Sequence, residues 1–258
     1  HTHSNQNAFN LHYGGEAVFH AAGHYMNFSD PHNLLSYRNT RAHNTVLVDG
    51  IGQPFTPDAY GYIVRMCNGD HLSYALGDAS EAYCGVSDIR LWREAFEKYR
   101  LEQSPENGFG KNPLTKYRRH IFLLYPNIVV IYDELEASEA ARWDWLLHSP
   151  VKFEIDEASA AFSTDARSGK FRSFTRLFSG ADVHFAQTDR YAAPPNEYAG
   201  QRGEDFTPSW TLTASLTPVR KARVLAVIQI EADGMKAVDV KRVGNRFKFG
   251  SWTLEAEL

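Results

Sequence analysis

Runs of alternating or β-branched residues set apart by turn signals recur along this chain, and few windows carry a helical repeat. That pattern leaves little room for anything but sheets. Strands are predicted over residues 8–13 and 17–19, joined by Gly14-Gly15, and over 44–48, where Asp49-Gly50 supplies a hairpin turn. Residues 117–124 and 128–133 read as a hairpin around Pro126-Asn127. Further strands are expected over 142–148, 151–156, 171–178, 182–187, 211–216 and 222–231, and a closing meander over 237–243, 246–249 and 252–257. Short helices are expected at 31–37, with Asp30 as cap, and at 80–83. Residues 89–99 fit either a helix or a strand, while 105–113 and 191–207 read as loops. The sum is an all-β chain, a large antiparallel β-sandwich spanning residues 1–258, with a front part (1–115) and a remaining body of sheets (116–258).

The formal net charge is -4 and no Lys/Arg cluster stands out, which argues against a nucleic-acid partner but leaves room for a local basic groove facing a polyanion. The longest apolar stretch, 121–132, is broken by Pro126 and Asn127, so no membrane span is expected. Cys67 and Cys84 are too few for a disulfide framework and read as two small buried hydrophobes rather than a bridge. With no initiator Met and no leader pattern before His1-Thr2-His3, the sequence reads as a fragment of a longer polypeptide.

Histidines crowd the front. Of eleven, seven lie between His1 and His43: His1, His3, His12, His20, His24, His32 and His43. A single such residue is more often an ordinary surface or core histidine; the crowding is the signal. On an extended strand His1 and His3 point to one face, so two imidazoles can share a metal, or one can bind it while the other faces a ligand. A further metal ligand would come from another strand, with His20 and His43 as candidates.

Three stretches in order carry a family resemblance. His1-Thr2-His3-Ser4-Asn5-Gln6-Asn7-Ala8-Phe9 is similar to the His-x-His-x-Asp-x-x-Ser-Phe signature of heparinase II/III-like polysaccharide lyases. Gly15-Glu16-Ala17-Val18-Phe19-His20-Ala21-Ala22-Gly23-His24-Tyr25 stands where that family has a strand, a Gly-Glu turn and an Asp-x-Gly-Tyr segment. Thr40-Arg41-Ala42-His43-Asn44-Thr45-Val46-Leu47-Val48-Asp49-Gly50 matches the family's Thr-x-x-His-Asn-Thr-Val-x-Val-Asp-Gly run, and Gln53 extends it. Looser likeness continues through Arg119-His120-Ile121-Phe122, Val129-Val130-Ile131-Tyr132-Asp133 and Trp145-Leu146-Leu147-His148.

The resemblance implies a lyase that cleaves uronic-acid-containing polysaccharide or oligosaccharide, alginate or heparan-type, by β-elimination, with this chain supplying the β-domain half of the site. It implies His1 as the catalytic group in the cleft, either neutralising the substrate carboxylate or transferring a proton. It implies a structural zinc held by His3, His20 and His43, with His20 in place of the family's aspartate. A second departure, Asn5 for Asp, removes a carboxylate that could orient a ligand. Tyr25 and Arg41, near the motifs, are candidates for substrate binding. An N-terminal α/α toroid, supplying the remaining catalytic groups, is the implied partner. The implied location is periplasmic or secreted in a bacterium, or cytoplasmic for an enzyme acting on oligosaccharides. Two other readings stand beside it: a non-catalytic carbohydrate-binding sandwich, and a cupin-type metal enzyme, which the lack of a Glu soon after His3 disfavours.

Overall fold

The computed structural model describes residues 3–195, 206, 209–232 and 234–258. In chain order it holds β1 (Leu11–Tyr13), β2 (Glu16–Phe19), β3 (Val46–Val48), β4 (Tyr62–Asn68), β5 (Leu72–Asp78), the helix α1 (Arg90–Lys98), β6 (Leu114–Leu124), β7 (Ile128–Ser149), β8 (Glu154–Asp156), β9 (Ala161–Asp165), β10 (Arg172–Ser179), β11 (Val183–Thr188), β12 (Trp210–Glu231), β13 (Lys241–Val243), β14 (Arg246–Phe249) and β15 (Trp252–Glu255). Every named pairing is antiparallel, as expected for a β-sandwich.

The spine is the β7–β12 ribbon. Both strands run for 22 residues and pair from Ile128 opposite Gln229 to Trp210 opposite Ser149. The sequence suggests two separate strands in each place, because exposed Ser138–Ala140 and Pro218 look like breaks. The ladder instead absorbs Pro218 in register shifts between Leu216 and Lys221, a bulge that bends the ribbon without ending it. The ribbon has β6 and β10 as neighbours near one end and β3 and β11 near the other. Through β6 and β10 the sheet extends in the order β4-β5-β6-β7-β12-β10-β9-β8. It thus takes strands from both sides of residue 115.

Side chains alternate across this sheet. Val129, Ile131, Val224, Ala226 and Ile228 enter the main core, while Val130, Leu225 and Val227 face the other side, where Phe247 and Phe249 of the β13–β15 meander cover them. Burying each of those phenylalanines contributes about 1.5–3 kcal/mol. Coverage on both faces explains why the start of β7 reads as an unbroken apolar run.

The ambiguous stretch around residue 90 forms α1, which buries Trp92, Ala95 and Phe96 at helical spacing against Leu34, Phe55 and Phe109. Near residue 31 the expected helix is present as a π-turn over Asn33–Tyr37, and Asp30 does cap it, accepting from Asn33 N at 3.0 Å. Strands β4, β5 and β9 were not expected. The cysteines differ from expectation: both are free thiols and both are exposed, Cys67 because it lies on an edge strand. Of the predicted loop 191–207, residues 196–205 and 207 lie outside the described residues.

Candidate functional site

The front of the chain is held in place from within. Arg119 on β6 and Asp133 on β7 are fully buried and face each other across the hairpin. Nε and Nη2 of Arg119 donate to the two Asp133 oxygens, both at 2.7 Å, and Trp145 Nε1 donates to Asp133 Oδ2 at 3.0 Å. The remaining Arg119 nitrogen, Nη1, donates to the carbonyls of Asn7 (2.8 Å) and Asn44 (2.7 Å). One bidentate ion pair in the core thereby fixes two of the three front motifs relative to the sheet.

The motif residues then lock onto one another. Asn44 Nδ2 donates to Phe9 O at 2.8 Å, and Asn44 Oδ1 accepts from His148 N at 2.7 Å. Thr45 shares a 3.0 Å hydrogen bond with the Tyr117 hydroxyl. Gln53 and Gln6 pair reciprocally: Gln6 N donates to Gln53 Oε1 at 2.8 Å and Gln53 Nε2 donates to Gln6 O at 3.1 Å. Thr40 Oγ1 accepts from Gln53 N at 2.8 Å, and a Cβ on neighbouring Gly52 would come within 2.4 Å of the Thr40 side chain, so only glycine lets these segments meet. Asp49 (φ 53) and Gly50 (φ 81) make the expected tight turn after β3.

This frame delivers His3 to His43. Nδ1 of His3 lies 3.3 Å from Nε2 of His43, with ring centroids 5.2 Å apart. His43 is buried and His3 half-buried. Burial pushes His43 down to about 3, with the nearby His3 and His148 adding to the effect. Burial, then the Arg38 charge, lowers His3 as well. Both rings are therefore neutral at neutral pH, and one N–H bridges the pair. The Tyr37 and His3 rings meet edge to face with centroids 4.6 Å apart, and the exposed Tyr25 ring has its centroid 6.1 Å from that of Tyr37. Behind them Arg38 lies against both Phe28 and Trp92, whose rings stack on each other, its Nε donates to Asn33 Oδ1 at 2.9 Å, and its carbonyl accepts from Ser4 N at 3.0 Å. Beside His3 opens a hollow of about 270 Å³ lined by Gln6, Gln53, Phe55, Tyr60 and Trp92 among others.

The other candidates are placed differently. His1 lies outside the described residues. His20 follows β2, donates its backbone N–H to His148 O at 3.2 Å and turns its Nδ1 onto Ala21 O at 2.6 Å. Among the described residues no three His, Cys, Asp or Glu side chains group to hold a metal ion, so the set His3, His20 and His43 is not assembled. Two imidazoles are one donor short of the three protein ligands a zinc site needs, and the donor set as it stands does not fit that ion. Arg41 donates to Glu106 O at 3.3 Å and packs over Gly108, covered by the loop at 105–108 rather than presented to a ligand. His32 is structural: its Nδ1 donates to Ala193 O at 2.5 Å and its Nε2 accepts from His24 N at 3.0 Å.

Sequence reasoning gave no role to Arg119, Asp133 or His148. The signal for the first two was present, since a hairpin centred on Pro126 sets residues 119 and 133 opposite each other, and opposite charges at interior positions must pair.

An antiparallel sandwich whose front motifs converge on a neutral histidine pair defines a β-sandwich domain with a polar front. Residues 1–241 match the family described as heparinase II/III-like, C-terminal, and the chain belongs to that family. Among solved structures it is similar to a heparinase III, the BT4657 gene product, at 13% identity and a TM-score of 0.66 over 99% of this chain and 37% of that one. It is also similar to the heparan sulfate lyase HepC from Pedobacter heparinus, at 11% identity and a TM-score of 0.67, again over 99% of this chain and 37% of that one. At such identities the likeness is one of fold, and the chain spans little more than a third of each of those structures. No curated protein sequence matches.

Proposed function

We propose that this chain is the β-domain half of a polysaccharide lyase that cleaves uronic-acid-containing polymers by β-elimination, with His3 facing the substrate. The observation that carries the reading is the neutral His3–His43 pair, built by the same motifs that define the family. In β-elimination a base takes the proton from the carbon beside the uronate carboxylate. The electrons of that C–H bond form a C–C double bond, and the glycosidic oxygen departs with a proton from an acid. A base suited to this must be unprotonated at working pH, which burial ensures for His3. When His43 donates to His3 Nδ1, the outward His3 nitrogen is a donor for the substrate carboxylate; when His3 donates to His43, that nitrogen is the base. No step here passes through a metal. The other catalytic groups belong, in this reading, to an N-terminal domain of the same protein.

The test uses the full-length protein with alginate and heparan sulfate, following the absorbance of unsaturated uronate. His3→Ala is expected to lower kcat by about 10²–10⁴ while leaving the fold intact. A wild-type protein silent across uronate polymers would remove the lyase reading. Polymer binding without product would favour the carbohydrate-binding reading instead.

A further inference from the structure

Two hollows meet at Gln6. One, of about 270 Å³, opens beside His3 over Phe55, Trp92 and Tyr60. The other, of about 220 Å³, lies between the front segment and the start of β4, with Ile63, Ala75, Gly77 and Ile121 in its lining. Gln6 lines both, so together they form one trough leading away from His3. Glycines let its walls meet: a Cβ on Gly61 would come within 3.1 Å of the Gln6 side chain, and one on Gly77 within 2.1 Å of Asn7 Oδ1. Gln53 holds the backbone N–H and carbonyl of Gln6. The Gln6 side-chain amide makes no hydrogen bond to any described residue, which leaves a donor and an acceptor for a ligand at the middle of the trough.

The trough offers an anion nothing. Among the described residues no acid lines it, and its only basic side chains are His3 and Arg119. His3 is neutral at neutral pH, and Arg119 is buried and bonded to Asp133. Asp58, which accepts from Thr56 of the lining at 3.3 Å, sets a negative charge at the rim. A carboxylate or sulfate entering here would lose water and gain no counter-charge. An uncharged sugar ring loses far less, because its C–H face can cover the apolar lining while its hydroxyls bond the Gln6 amide. The Tyr60 ring, 52% exposed, presents an aromatic face of the kind that suits it. We propose that this trough is the subsite for the sugar adjoining the uronate at His3, that it takes an uncharged ring, and that Gln6 and Tyr60 are its specificity-determining residues. The proposal rests on the reading of this chain as half of a uronate lyase and narrows the substrate: uronate alternates with a neutral sugar such as an N-acetylhexosamine. A polymer with a carboxylate on every ring, or a heavily sulfated one, places a charge where the trough has no partner for it.

The experiment gives the full-length protein three polymers: heparan sulfate, the same polymer chemically desulfated and N-acetylated, and alginate. It reads kcat/KM from the absorbance of unsaturated uronate and, separately, Kd by titration calorimetry. The desulfated, N-acetylated polymer is expected to be preferred over both others by about tenfold or more. Equal or better use of heparan sulfate or alginate overturns the proposal. Gln6→Ala and Tyr60→Ala should each raise KM for the preferred polymer by about three- to tenfold, with kcat and the thermal midpoint little changed; an unchanged KM in both overturns it. Ile63→Lys, at a position 65% exposed, adds a cation to the trough and should shift the preference toward alginate by about tenfold. A preference that the added charge does not move also counts against the proposal. A protein that cleaves none of the three ends the lyase reading, while its relative affinities still decide the subsite: tighter binding of the desulfated polymer supports it, and binding of none overturns it.

Discussion

Nδ1 of His3 and Nε2 of His43 lie 3.3 Å apart, yet neither ring is charged at neutral pH. His148, which packs behind them, is likewise neutral: burial pushes it down to about 4, although the Arg41 carbonyl 2.9 Å from its Nε2 works in the opposite direction. An unfolded histidine titrates near 6.5. Both His43 and His148 therefore sit below their unfolded values. The stability tied to them is complete above about pH 6.5 and falls as the pH drops, because the unfolded chain takes up protons that the folded one refuses until about 4 for His148 and about 3 for His43. Each should add about 1.4 kcal/mol per pH unit to the loss between about pH 6 and 5. Urea unfolding across that range measures the slope. In His148→Asn the slope should shrink by one histidine's share, and an unchanged slope would mean the ring is already charged in the fold.

How much of this could be read from the sequence depended on burial. The hairpin at Pro126, the Asp49-Gly50 turn and the C-terminal meander were legible because their residues alternate or carry strong turn signals. Strand β4 was not, because a strand with every residue exposed leaves no in-out pattern to find. The lengths of β7 and β12 were hidden by Pro218 and by exposed residues 138–140, which mimic loops locally while the partner strand carries the ladder through. At the site, the motifs placed His3 and His43 together because several backbone bonds converge there. His20 was harder to place, because its ring nitrogen Nδ1 meets the neighbouring Ala21 carbonyl, a local contact that no strand pattern announces.

A second prediction concerns metal. The front segment is tied down by Ser4 N to Arg38 O, by the Gln6–Gln53 pair, by Asn44 to Phe9 O and by Arg119 to Asn7 O, all direct protein contacts. A structural zinc can supply roughly 10 kcal/mol or more to a fold that depends on it. This one has another means of support. Chelation with EDTA is therefore expected to move the thermal midpoint by less than about 2 °C, under 1 kcal/mol for a domain of this size. A fall of tens of degrees would show that His3 and His43 gain a third ligand in solution and that the metal, not this network, holds the front in place.

The Arg119–Asp133 pair yields the largest expected effect. Both side chains are almost wholly removed from water, and the carboxylate meets three donors. Asp133→Asn keeps the shape but leaves a buried guanidinium without its counter-charge, a change that costs about 3–5 kcal/mol. Calorimetry should show a thermal midpoint lower by about 10 °C or more. Because Arg119 also anchors Asn7 and Asn44, the damage should reach the histidine pair, and polymer cleavage by the full-length protein should fall along with stability. Replacing both charges, Arg119→Met with Asp133→Leu, removes the stranded charge and should recover part of the stability. Activity should stay low in that double variant, because its side chains cannot hold the carbonyls of residues 7 and 44. If the double variant regained activity together with stability, the pair would be a packing element only, and the positioning of His3 would have to come from the Ser4–Arg38, Gln6–Gln53 and Asn44–Phe9 contacts.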